Sequence, residues 1–289
     1  MKYLVVKGWL GFGDRLESLK MAIDYALHHK LIIYVDWRDS TWSHGNETFY
    51  TYFKLVNIPQ ISSLEEIPKD ATVYPEYWKD HLEESLSLDV ITKQPGLDIG
   101  LLHKEKTFPG DVVVMSSIGP RLVYPDSRFF ANVFRVSDSR ILEKVNQRKQ
   151  RYPIHQSWGI HIRGTDRLKP NRRELSIQYI VSVLVNQGAL NGQKMTVVSD
   201  DKDSISVWKR FFPDSYITSE LSLQLSSNLG NHHLTKDKLQ FTKDDMNVDM
   251  LVDFFTLTLT QKVFSTYKDS RFAQEARRLH PFVNAILGQ

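Results

Sequence analysis

The chain reads as an α/β protein of two Rossmann-like domains, and three observations predict this. Short β-branched runs such as Tyr3–Lys7, Leu31–Val35 and Trp158–Arg163 alternate with segments whose apolar residues recur at helical spacing. Each half follows the order strand, loop, helix, strand, the β-α-β unit of a parallel, right-handed sheet. Between them the basic stretch Gln147–Pro153 ends on a proline, so an exposed crossover is expected to divide residues 1–150 from residues 151–289.

Taken in order, Tyr3–Lys7 delivers into Gly8, Gly11 and Gly13. Leu16, Leu19, Ala22, Ile23, Ala26 and Leu27 then mark a helix. Leu31–Val35 is the next strand, and Asp36 ends it. Residues 37–78 are crowded with aromatics, among them Trp42, Phe49, Tyr50, Tyr52, Phe53, Tyr74 and Tyr77. Such rings suit either a sugar face or a core. A short helix is expected around residues 80–87, a turn at Pro95-Gly96 and a buried strand at Asp111–Met115. Ser137 or Asp138 then caps a charged helix that runs through Gln150.

The second half restarts the pattern. Strand Trp158–Arg163 leads into a loop of prolines and arginines, then helix Ser176–Gln187, strand Lys194–Ser199, helix Asp203–Phe212 and strand Tyr216–Thr218. Residues 221–244 are polar and non-periodic and read as a mobile loop, of a length that is usually functional or disordered. Helix Asp249–Leu259, strand Lys262–Ser265 and helix Ser270–Leu279 follow.

Composition narrows the function classes. The 289 residues carry 37 basic and 34 acidic side chains, a net charge of +3 that is too weak to imply nucleic-acid binding by field alone. There is no cysteine, which removes a disulfide framework, a thiolate nucleophile and any Cys-ligated metal. No apolar run approaches the roughly 20 residues that span a bilayer, and no secretory signal is visible, so the expected location is cytoplasmic.

Chemistry concentrates in Ser157–Arg167, SWGIHIRGTDR. Ligands of open α/β sheets sit at the carboxyl ends of strands, and His161, Arg163 and Asp166 fall at or just past such an end. Arg163 offers a planar, permanently charged fork suited to a diphosphate, or else to a structural ion pair. Asp200 and Asp201 end the next strand, where they can accept hydrogen bonds from a guanine or ribose, or cap the helix that follows. Asp253 lies mid-helix on an apolar face, so it needs a partner; it is expected to orient Arg163 or to bind a nucleotide. A glycine loop with Asp36 beyond it invites a nicotinamide or flavin reading. The spacing, though, is G-x-x-G-x-G and not G-x-G-x-x-G.

Four pieces of the chain together resemble the GDP-fucose-dependent fucosyltransferase superfamily, closest to its α1,6 and nodulation type. Gly11-Phe12-Gly13-Asp14-Arg15-Leu16 resembles the family's G-F-G-x-x-L start. Gly159–Arg167 resembles G-V-H-V-R-R-T-D-K, and Val197-Val198-Ser199-Asp200-Asp201 a strand ending in T-D-D. Asp253 in VDMLVDFF, with Phe264-Ser265-Thr266 and Asp269-Ser270-Arg271-Phe272, resembles the last motif. One departure matters: where the α1,6 enzymes have two adjacent arginines, this chain has Arg163 and Gly164, so a second phosphate contact is absent or comes from Arg167 or another residue. Glycine also lets the backbone approach a ligand closely.

The resemblance implies a GT-B-like glycosyltransferase, its two Rossmann-like domains facing a cleft, that transfers fucose from GDP-fucose to a glycan hydroxyl with inversion, needing no metal or other cofactor. It implies Arg163 as the group that stabilises the departing diphosphate. Gly11, Phe12, Gly13, His161, Asp200, Asp201, Asp253, Asp269, Ser270 and Arg271 fall in its substrate-binding motifs. Helix amino termini near Asp203 and Ser270 would add N–H donors for phosphate oxygens. The family's acid/base glutamate aligns nearest Asn171, leaving Glu174 and Asp166 as candidates for the base and His161 as a weaker one that also reads as a core histidine. Three alternatives stand beside this reading: an NAD-type oxidoreductase, a non-catalytic sugar-nucleotide or glycan-binding module, and metal-dependent transfer through the D-x-D of Asp201-Lys202-Asp203.

Overall fold

The structure is a computed structural model and describes residues 2–94, 97, 106–116, 126–164, 172–189, 192–224 and 240–288. The chain divides into two compact units, one of residues 1–137 with 284–289 and the other of residues 138–283.

The first unit begins with β1 (Tyr3–Lys7), α1 (Phe12–His29) and β2 (Ile32–Asp36). Next come α2 (Phe49–Tyr52), β3 (Phe53–Leu55), β4 (Val73–Tyr74), α3 (Leu88–Lys93), β5 (Val112–Ser116), α4 (Ser127–Val133) and β6 (Phe134–Val136). Its main sheet has the order β2-β1-β5-β4, and every pairing is parallel. All five residues of β1 and of β5 are buried, as their continuous apolar runs require of strands covered on both faces. β3 and β6 form a separate antiparallel pair.

The second unit begins with α5 (Ser139–Arg151), β7 (Trp158–Ile162), α6 (Arg173–Asn186), β8 (Met195–Ser199), α7 (Lys202–Phe211) and β9 (Tyr216–Ile217). It continues with α8 (Lys243–Thr258), β10 (Lys262–Ser265) and α9 (Arg271–Leu279), and α10 (Val283–Leu287) follows. The sheet order is β10-β7-β8-β9, again parallel throughout, so β7 is a central strand. Trp158, Ile160, Ile162, Met195 and Val197 pack with Ile177, Ile180, Leu184 and Trp208 of α6 and α7 in one core.

Several expectations change at this point. The division falls between Ser137 and Asp138 and not at 150/151, because α5 packs on α8 and buries Ile141, Val145 and Arg148. No α-helix covers residues 80–87; a 3-10 turn over Glu76–Asp80 ends where the helix is expected to start. The carbonyls of Leu82 and Glu84 accept hydrogen bonds from Lys7 Nζ, and a helix starts only at Leu88, capped by Ser87. α8 starts at Lys243, six residues before the expected start, because Thr242 caps it by accepting from Asp245 N at 3.1 Å. Pro95-Gly96 and residues 225–239 of the expected mobile loop lie outside the described residues. Among the described residues no helix is long and apolar enough to cross a membrane.

Candidate active site

The carboxyl ends of β7, β8 and β10 bring His161, Arg163, Asp200 and Ser270 together, but not every predicted residue of the second unit. Arg163 leaves β7 with its backbone N–H donated to Thr266 Oγ1, just past β10, at 2.9 Å. Its Nη1 lies 3.3 Å from Asp200 Oδ2, with the side chains 22% and 12% exposed. Asp200 Oδ1 also accepts from the N–H of Gly164 at 3.1 Å. One carboxylate therefore spans a backbone donor and a guanidinium at the end of a central strand, where open sheets bind ligands.

Asp201 does different work. It caps α7 by accepting from Asp203 N at 3.2 Å and Ser204 Oγ at 2.5 Å, and it lies buried 2.8 Å from Arg173 Nε. That last contact is an ion pair by distance and not an aligned hydrogen bond. Arg173 Nη1 also reaches Asp203 Oδ2 at 3.1 Å. A guanidinium thus bridges both carboxylates of the D-x-D, and Asp201 caps α7 and pairs with Arg173.

Gly164 explains the departure from paired arginines. A Cβ at this position would lie 2.1 Å from Asp201 Oδ2 and 2.4 Å from Asp201 Cβ. The close approach that glycine permits here is to Asp201.

His161 is buried, with Nδ1 3.1 Å from Ser265 Oγ and 3.2 Å from Ser270 Oγ and its ring beside Phe272. Burial, helped by the Arg163 charge, pushes its pKa down to about 4, so it is a neutral ring that ties β7 to the start of α9. Ser270 in turn caps α9 by accepting from Ala273 N. Asp269 is exposed and Arg271 half-buried.

Asp253 does not touch Arg163. Its oxygens accept from Arg148 Nη1 at 2.6 Å and from Ser219 Oγ at 2.5 Å, with Arg148 and Asp253 both over nine-tenths buried. Burial pushes this carboxyl up to about 7 against the pull of Arg148. The expectation that it orients Arg163 is corrected: a cation from α5 met its need for a partner. Sequence reasoning missed Arg148. The signal was present, since residues 141, 145 and 148 form one helical stripe.

Glu174 is exposed at the start of α6, with Oε1 3.8 Å from Arg210 Nη1 near the end of α7. α7 begins at the ligand edge of the sheet and runs about 12 Å away from it by Arg210, at 1.5 Å per residue. The carboxylate of Glu174 is thus exposed and paired across to α7. Asp166, Arg167 and Asn171 lie outside the described residues.

In the first unit the carboxyl ends of β1 and β2 are engaged by the chain itself. Lys7 Nζ donates to Asp36 Oδ2 at 2.6 Å and to Glu84 O at 2.8 Å, and Arg38 grips both oxygens of Asp36 at 2.8 and 3.0 Å. Burial raises the Asp36 pKa, but hydrogen bonds and charge from Arg38 and Lys7 outweigh it and hold the carboxyl below its ordinary value. An Asp36 so engaged has no oxygen left for a ribose, which removes the main support for the dinucleotide reading.

Gly11 is the N-cap of α1, while Phe12 and Gly13 are buried. Phe12 stacks on Trp42 and Phe53, with centroids 6.0 and 5.8 Å apart. Phe12 is thus a core ring and not a ligand platform, and so are Trp37, Trp42, Phe49, Tyr52 and Phe53. The loop before α1 is held by buried Arg15, whose Nε donates to Leu10 O at 3.0 Å and whose Nη2 donates to Asp39 and Thr41 at 2.7 Å. Leu10, at φ 68°, is the residue so clamped.

Neither a family model nor a curated protein sequence matches the chain. Solved structures do. The crystal structure of fucosyltransferase NodZ from Bradyrhizobium is 17% identical, with a TM-score of 0.70 over 96% of this chain and 92% of that one. NodZ α1,6-fucosyltransferase soaked with GDP-fucose is 16% identical, with a TM-score of 0.69 over 97% and 94%. POFUT1 in complex with GDP is 12% identical, with a TM-score of 0.52 over 96% and 94%. The chain shares their GT-B-like fold.

Proposed function

We propose that the chain is an inverting, metal-independent fucosyltransferase that moves fucose from GDP-fucose to a glycan hydroxyl. The observation that carries this reading is Arg163, held partly exposed by Asp200 at the carboxyl end of central strand β7. The four-part sequence resemblance and the fold shared with solved fucosyltransferases, one soaked with GDP-fucose and one bound to GDP, support it. As the glycosyl–phosphate bond breaks, negative charge grows on the departing diphosphate. A positioned guanidinium neutralises that charge more strongly in the transition state than in the ground state.

Absence of a metal requirement is supported by Arg173, which bridges Asp201 and Asp203 where a D-x-D enzyme would hold a cation. The acceptor hydroxyl needs a base, and Asp166 and Glu174 are the carboxylates the sequence offers.

Calorimetry with GDP, GDP-fucose, GDP-mannose, UDP-sugars and NAD tests the reading: GDP and GDP-fucose bind, and tight NAD binding with no response to GDP overturns it. Arg163→Ala is expected to abolish turnover with the fold intact, and EDTA to leave the rate unchanged. Asp166→Asn and Glu174→Gln identify the base by which one removes turnover while GDP still binds. Absence of any product across a glycan array would favour the non-catalytic binding module.

A further inference from the structure

Among the arginine–carboxylate ion pairs of the second unit, three centred on Arg148, Arg163 and Arg173 differ in a way that bears on the donor site. Arg148–Asp253 closes at 2.6 Å and Arg173–Asp201 at 2.8 Å, each with both side chains no more than 10% exposed. Arg163–Asp200 is longer, at 3.3 Å, and more open to solvent. Charge-assisted N–H···O contacts close at about 2.7–2.9 Å, so the first pair is a full hydrogen bond, the second is as close without being aligned as one, and the third is longer than either.

Asp200 also spans two donors. Its Oδ2 faces Arg163 Nη1 and its Oδ1 takes the N–H of Gly164, an arrangement of guanidinium plus backbone N–H that equally fits two oxygens of a phosphate. The carboxylate of the longest of these three pairs therefore faces the donors that the proposed reaction requires.

We propose that Asp200 is a displaceable counter-ion: it holds Arg163 and the Gly164 N–H while the site lacks donor, and the diphosphate takes both from it on binding. The inference rests on the fucosyltransferase reading and adds a role for Asp200 different from holding guanine or ribose. A diphosphate carries more charge than one carboxylate and so wins the guanidinium, while Asp200, left facing a like charge, opposes nucleotide binding. The site thereby resists retaining GDP after transfer, and Asp200 is a positioning residue that sets how tightly the diphosphate end is held.

The test is calorimetric binding of GDP, inorganic pyrophosphate and guanosine to the full chain and to Asp200→Asn. Removing the opposing charge is expected to tighten GDP and pyrophosphate about tenfold at low salt and to leave guanosine unchanged. Asp200→Glu keeps the charge and is expected to gain nothing. Asp200→Asn made on Arg163→Ala should gain less than Asp200→Asn gains on the full chain, because part of the gain comes from the freed guanidinium. Weaker binding of guanosine and GDP by Asp200→Asn would overturn the proposal in favour of a base or ribose contact, and unchanged GDP and pyrophosphate binding would overturn it outright. Asp200→Ser repeats the measurement if the asparagine variant fails to fold. A chain that binds neither GDP nor pyrophosphate before any substitution sinks the fucosyltransferase reading itself, a result distinct from failure of the Asp200 role.

Discussion

Gly164→Ala should be far more damaging than its single added methyl suggests. The new Cβ would sit 2.1, 2.4 and 2.6 Å from Oδ2, Cβ and Cγ of Asp201. Asp201 cannot swing aside, since Arg173, Ser204 and the Asp203 N–H hold it. Its own Cβ is fixed to the backbone in any case. Overpacking costs about 1–3 kcal/mol, and loss of a helix cap adds about 1 kcal/mol, so roughly 3 kcal/mol is expected. For a unit of this size that lowers the melting temperature by about 10 °C. Gly11→Ala is the matched control. Its Cβ would meet nothing closer than Asp14 Oδ2 at 3.7 Å, and its φ of −73° is open to alanine, so the loss there should be about 1 kcal/mol or less. Scanning calorimetry of both variants decides the matter. Equal, small shifts would refute the claim that packing against Asp201 is what requires glycine at 164. The same clash predicts that Gly164→Arg, which restores the paired arginines, fails to yield a stable protein.

Other predictions follow from the buried charges. His161 has its pKa lowered from 6.5 to about 4, so the unfolded state takes up a proton first as pH falls; about 3 kcal/mol of stability, complete above pH 6.5, is lost by pH 4. Urea unfolding of His161→Asn across that range should lack this loss, and an unchanged slope would contradict it. Asp253, raised from 3.8 to about 7, acts with the opposite sign: it is protonated in the fold first, and stability falls as pH rises from about 4 through 7. The two slopes oppose each other between pH 4 and 6.5, so each shows clearly only when the other group is substituted; Asp253→Asn should remove the decline towards neutral pH. Lys7→Met strips the Leu82 and Glu84 carbonyls and one partner of buried Asp36, with an expected loss of about 3–5 kcal/mol in urea unfolding.

The parallel sheets were legible because their strands are covered on both faces and therefore read as unbroken apolar runs. β1, β2, β5, β7, β8 and β10 all fall within a residue or two of the expected limits. β3, β4 and β6 have only two or three residues, too few to show a period, and were not foreseen. α8 hid its first six residues because it is buried nearly all round, which erases the one-sided stripe that marks most helices. At the candidate site, Arg163 and the β8 aspartates could be placed from strand ends alone. Their pairing could not, because which carboxylate meets which arginine depends on packing between elements distant in sequence. Arg173 lay within the loop of prolines and arginines, and nothing local distinguished it from Arg172.

Residues 284–289 belong to the first unit although the 146 residues before them, 138–283, form the second, and Ile286 and Leu287 are buried. The polypeptide therefore passes from one unit to the other and back. During synthesis the amino-terminal unit has to wait for its final segment until its neighbour has been made in full, which reverses the usual order in which domains finish on the ribosome. Expressing residues 1–137 alone would leave that unit without the buried pair, and supplying the missing segment through a fused linker should restore its cooperative melting.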